Sequence, residues 1–120
     1  MNINEYLEKT FELMPDLPFD FVKIRPSIIC VDGEYVSVQA SKNHYCSPRE
    51  NLKTGYISVE LGYPSFEDER LIKYAEQPEC PLKTVYGWTP VELIDTILSE
   101  HGGIDYERSM YKYKKEMEAS

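Results

Sequence analysis

The chain has 120 residues, 42% of them hydrophobic and 28% charged, which fits one globular domain (1–120) and not a disordered chain. Thirteen Lys and Arg stand against 21 Asp and Glu, a formal charge of −8. That excludes a general coat for nucleic acid or an anionic membrane, since neutralising phosphates needs a cationic face. The apolar runs are too short for a transmembrane helix, and no secretory leader is expected.

Ile3, Leu7, Phe11 and Met14 recur at helical spacing and predict a first helix, capped by Asn2 or Asn4 and stopped by Pro15. A short strand is expected at 19–24, between Pro18 and Pro26. Residues 27–31 and 34–40 read as two strands joined by Asp32-Gly33, a hairpin signal in which Gly supplies the positive φ of a type I′ turn. Val36, Val38 and Ala40 share one strand face. A polar loop spans 41–53. A strand follows at 56–61, with Ile57, Val59 and Leu61 on one face.

Ser65, with Asp68 three residues on, suggests a capped helix ending before Pro78. A fifth strand is expected at 84–88. Thr89-Pro90-Val91-Glu92 predicts a further helix, with Thr89 as cap, Pro90 at its first position and Glu92 reaching back. His101 suits its negative end, Gly102 stops it and Ile104 packs back. A last helix begins at Asp105 with a stripe of Tyr106, Met110, Tyr113 and Met117, placed to project, to dock or to form a homo-oligomer. Hairpin connections imply an α+β, two-layer fold: a mainly antiparallel sheet of four to five strands with helices on one face.

The three cysteines, Cys30, Cys46 and Cys80, are odd in number and widely spaced, which argues for a reducing cytoplasm and against a disulfide framework. Cys30 reads as buried; Cys46 and Cys80 read as accessible. Residues 1–40 hold three basic and seven acidic residues, and 54–100 hold three and nine. The loop 41–53 holds three basic residues and one acidic, so it is the one locally positive segment. Lys42, His44, Tyr45, Cys46 and Arg49 are therefore the candidate ligand-binding residues. The cations suit a phosphate or carboxylate and Tyr45 suits a ring. His44 and Cys46 also permit a nucleophile–base pair, or half of a zinc site with Cys80 and His101. The bland alternative is a solvated loop. No diagnostic catalytic motif, cofactor or metal site is recognised. Glu60 and Glu92 permit an acid/base pair, but read as a solvated strand residue and a cap. Trp88 reads as a core or interface anchor.

The segments Ser37-Val38-Gln39-Ala40-Ser41, Tyr45-Cys46-Ser47-Pro48-Arg49, Glu60-Leu61-Gly62-Tyr63-Pro64-Ser65, Val85-Tyr86-Gly87-Trp88-Thr89-Pro90-Val91 and His101-Gly102-Gly103-Ile104 together resemble a group of small uncharacterised proteins from phages, prophages and other bacterial mobile elements. The resemblance spans about two thirds of the chain and omits both terminal helices. It implies an accessory gene product and carries no mechanism. With the acidity, it favours an antagonist of host defence, of anti-CRISPR type, that works in the host cytoplasm by binding a nuclease or other defence protein. Glu67, Asp68, Glu69, Glu76 and Glu79 form its densest acidic stretch. Alternatives are a nucleotide-binding module or sponge using 41–53, and a Cys-dependent enzyme using Cys46.

Overall fold

In a computed structural model, residues 1–13 and 24–119 are described. The first helix, α1 (Ile3–Thr10), begins at a complete capping box: Asn2 accepts from Glu5 N–H, and the Glu5 carboxylate accepts from Asn2 N–H. Asn4 instead ties α1 to the chain at 55–56, accepting from Gly55 and Tyr56 N–H. A short 3-10 turn, Phe11–Leu13, continues α1. Its expected stop at Pro15, and the strand at 19–24 apart from Ile24, lie outside the described residues.

Four strands follow: β1 (Ile28–Ile29), β2 (Tyr35–Gln39), β3 (Ser58–Gly62) and β4 (Val85–Pro90). They form one antiparallel meander in chain order. The β1–β2 turn differs from the one expected. Gly33 N–H donates to Cys30 O and Cys30 N–H to Glu34 O, and only Gly33, at φ +94°, takes the left-handed region. This is a three-residue loop whose last residue is the glycine, not a two-residue type I′ turn.

The pairings Ile28–Val36, Val38–Leu61 and Leu61–Tyr86 put these side chains on one sheet face. There they are buried with Ile3, Tyr6 and Leu7 of α1 and with Ile94, Ile97 and Leu98 of α2 (Val91–Glu100). The α+β architecture is thus the one the sequence implied. The alternation expected at 56–61 fails at its start. Tyr56 is buried and Ile57 is exposed, because pairing with β4 begins only at Ser58 and with β2 only at Glu60, and Asn4 holds Tyr56 N–H from the helix side.

Two expected caps are also displaced. Ser65 starts no helix. Its hydroxyl binds Tyr35 N–H and the Glu34 carboxylate, and Asp68 caps a six-residue 3-10 helix, Glu69–Tyr74. Only Leu71 is buried there, so no wide apolar face rewards an α-helix. Thr89 does not cap α2 either, since β4 runs on through Pro90. The Thr89 hydroxyl lies 3.4 Å from Tyr86 O, and Ile57 O takes the first helical N–H, that of Val91. At the other end the sequence reading holds. Gly102 N–H donates to Ser99 O and Gly103 N–H to Leu98 O, a Schellman ending with both glycines at φ +88°.

The last helix, α3 (Tyr106–Ala119), does not simply project. Asp105 N–H donates to Ile29 O and Ile29 N–H donates to Ser109 Oγ, so the start of α3 closes the outer edge of β1. On the far side Glu76 N–H donates to Val85 O and Ala75 bridges Tyr86, covering part of the β4 edge.

Candidate surface site at the β3–β4 bulge

The β3–β4 ladder pairs Val59 with Thr89 and Leu61 with Tyr86, so Glu60 stands opposite both Gly87 and Trp88. This β-bulge re-aims Trp88, whose backbone sits at φ +48° and whose side chain is 49% exposed. A bulky residue at positive φ is rare and costs the fold stability. Trp88 N–H donates to Tyr45 O at 2.9 Å. The Tyr45 ring stacks on the indole, with centroids 4.9 Å apart and planes 26° from parallel. Gly87 permits this approach: a Cβ there would stand 3.2 Å from Tyr45 Cβ. The Arg49 guanidinium carbon lies 5.3 Å from the Tyr45 centroid, within cation–π range.

Beneath the stack, Glu60 accepts from Tyr45 N–H at 3.2 Å. Burial lifts the Glu60 carboxyl above its usual range, and the nearby Glu76 charge adds to this against the Tyr45 N–H and Arg49. Glu60 is thus half-buried and bonded, not a freely solvated strand residue. Ser58, two residues before it on the same strand face, is buried, and its hydroxyl has no hydrogen-bond partner among the described residues.

The five candidate loop residues divide. Tyr45 and Arg49 come together at this surface. Lys42 is exposed, its backbone N–H held by Asn51. His44 and Cys46 turn inward and are nearly fully buried, so Cys46 is not the accessible thiol expected. Burial first, then the Arg25 and Arg49 charges, pull the His44 pKa down to about 4, leaving it neutral at pH 7. Its Nδ1 lies 2.6 Å from Ser41 Oγ. The Cys46 thiol donates to Ser41 O, and burial pushes its pKa up, the reverse of what an activated nucleophile needs.

Arg25 is buried on the same inner side, and its charge acts on both His44 and Cys46. It is 1% exposed and donates from Nε to Leu7 O and from its two terminal nitrogens to Ala40 O and Leu52 O. The loop packs on a buried cation that donates to three backbone carbonyls.

Comparison with family models, curated proteins and solved structures finds no match for this chain.

Other candidates settle on geometry alone. Among the described residues no three His, Cys, Asp or Glu side chains come together to hold a metal, so the zinc alternative has no ligand set there. His101 closes α2 and its Nδ1 meets Asp32 Oδ2 at 2.6 Å, with Phe66 against the ring at 4.4 Å. Glu92 is exposed and makes no capping box. Cys30 is buried and Cys80 exposed, as expected. No helix of the described residues is long and apolar enough to cross a membrane. Open pockets of about 480 and 530 Å³ lie beside α1–α2 and beside α3, away from the 41–53 loop.

Trp88, which reads from sequence as a core or interface anchor, and Glu60, which reads as a solvated strand residue, both join this site without standing among its expected residues. The available signal was Gly87. A glycine inside an apolar strand marks a bulge or a close approach of other atoms, and here it marks both.

Proposed function

We propose that this protein acts by binding: an acidic accessory protein of a phage or other mobile element that engages the basic, nucleic-acid-handling face of a host defence protein in the host cytoplasm. One observation carries the reading. Glu67, Glu69, Glu76 and Glu79 are all exposed along one stretch that includes the cover of β4, and none forms an ion pair with a described residue. Among the described residues, Asp68 alone in that stretch pairs with a cation, Arg70, which also reaches Glu100. Exposed carboxylates offer a basic groove what phosphates would offer it. Catalysis gains no comparable support, since Cys46 and His44 are buried away from substrate.

The test is capture by a panel of purified defence nucleases. The triple reversal E67K/E69K/E76K should abolish capture by the cognate nuclease. Capture that survives the reversal overturns the reading.

A second reading, a nucleotide-binding module, draws on the surface pairing of Tyr45 with Arg49. Calorimetry with a nucleotide panel addresses it. Affinity unchanged in Arg49→Ala would remove the loop from that role.

A further inference from the structure

Three observations converge on Trp88. It is the only tryptophan in the chain, and it is held half-exposed on a positive-φ backbone where a large side chain is disfavoured. Tyr45 stacks against it and Tyr45 O holds its N–H, so the indole is fixed before any partner arrives. Carboxylates lie beneath the stack, where Glu60 bonds the residue stacked on the indole and Glu76, of the exposed acidic stretch, stands close to Glu60, while Arg49 sits over the Tyr45 ring. Strain kept at an exposed aromatic residue points to use of that residue.

We propose that the exposed face of Trp88 is the docking socket for an arginine side chain, presented by a basic segment of the partner protein. The inference rests on the reading above and names the contact through which it works. The platform already shows the chemistry, since Arg49 sits over Tyr45 as a partner guanidinium would sit over the indole. Arginine fits better than lysine because its planar, weakly hydrated head stacks on a ring while its N–H groups reach carboxylates. Charge complementarity with a chain of −8 selects a basic partner and repels phosphate. A rigid aromatic anchor with a charged surround is the usual form of a binding hot spot. Addition of a partner strand is disfavoured, because the β1 edge is closed by α3 and part of the β4 edge by residues 75–76.

Because Trp88 is the single tryptophan, its fluorescence reports the socket directly. The intact protein is titrated with nona-arginine, nona-lysine, a ten-residue oligo-dT and AMP, following emission and, in parallel, heat. Nona-arginine should shift Trp88 emission and bind about threefold or more tighter than nona-lysine. Trp88→Gly, which removes the ring and relaxes the backbone, should weaken nona-arginine binding about tenfold by calorimetry while remaining folded. Equal heats in wild type and Trp88→Gly, with unmoved emission, overturn the socket. If E67K/E69K/E76K still abolishes binding in that case, the acidic-surface reading stands without it. A response to oligo-dT or AMP in place of nona-arginine overturns both in favour of a nucleotide platform. Absence of any peptide binding overturns both as well.

Discussion

At the scale of single residues, the structure separates side chains that support the fold from those that strain it. Trp88 belongs to the second group. Left-handed backbone costs an ordinary L residue roughly 1–2 kcal/mol, and glycine almost nothing. Trp88→Ala and Trp88→Gly both delete the ring, so their difference isolates the backbone. Trp88→Gly should be the more stable by about 1 kcal/mol, or roughly 4 °C in Tm. Equal melting would mean that the bulge relaxes when the indole goes. His44 strains the fold in another way. Its folded pKa is about 4, below the ordinary value of 6.5, so the unfolded chain binds the extra proton between those pH values. Stability is therefore full above pH 6.5 and falls as pH drops toward 4, by up to roughly 3 kcal/mol. Urea melts of wild type and His44→Gln across that window should diverge toward acid, with the variant flatter; parallel curves would contradict the assignment. Why was Tyr45 legible as a surface residue and His44 not? Alternation along an extended loop places neighbours on opposite sides, but not which side faces in. The inner side also holds Arg25, some twenty residues upstream and bonded to Ala40 O and Leu52 O at the two ends of the loop, and nothing local announces that a guanidinium will be buried there.

At the scale of elements, helix ends were readable where the signal was backbone conformation or, at Asn2, a cap that nothing else claims, and misleading where the capping hydroxyl is used elsewhere. Gly102 and Gly103 end α2 because the left-handed region is open to them alone at low cost. Gly102 carries a second duty. A Cβ there would stand 2.9 Å from Val31 Cβ, where Asp32 N–H meets His101 O and Val31 N–H meets Gly103 O. Gly102→Ala thus combines left-handed strain with a clash between α2 and the β1–β2 turn. It should lower stability by about 2 kcal/mol in chemical denaturation, against little change for Gly103→Ala beyond the strain itself, since no atom lies within 4 Å of a Cβ at Gly103. By contrast, Thr89 and Ser65 have the right hydroxyls in the right patterns, yet strand pairing claims Thr89, and Ser65 spends its hydroxyl on Tyr35 N–H and the Glu34 carboxylate. A cap is worth about 1 kcal/mol, less than a register in the ladder with its burial. Arg25 joins α1, the end of β2 and the 41–53 loop through three carbonyls. Arg25→Ala should cost about 3 kcal/mol or more, because those acceptors stay buried without donors.

At the scale of the whole molecule, the residues on α3 that read as an interface turn out to be shared between the fold and the surface. Tyr106 meets Tyr6 edge-on at 6.2 Å, and Met110 packs on the core, whereas Met117 is 57% exposed. The packed half of the stripe lies beside Asp105 and Ser109, which seal β1. Removing residues 105–120 would free Ile29 N–H and C=O together, open a strand edge and uncover Tyr6. An open edge is a template for pairing with other chains. The truncated protein should accordingly form large species whose fraction grows with concentration in light scattering. Removal of 115–120 alone, distal to every one of these contacts, should leave mass and melting unchanged. If the longer truncation stays at the mass of one shortened chain and melts as before, α3 does not close the edge. If instead the shorter truncation halves the mass of the native species, the exposed end of the stripe, with Met117, is where two copies meet.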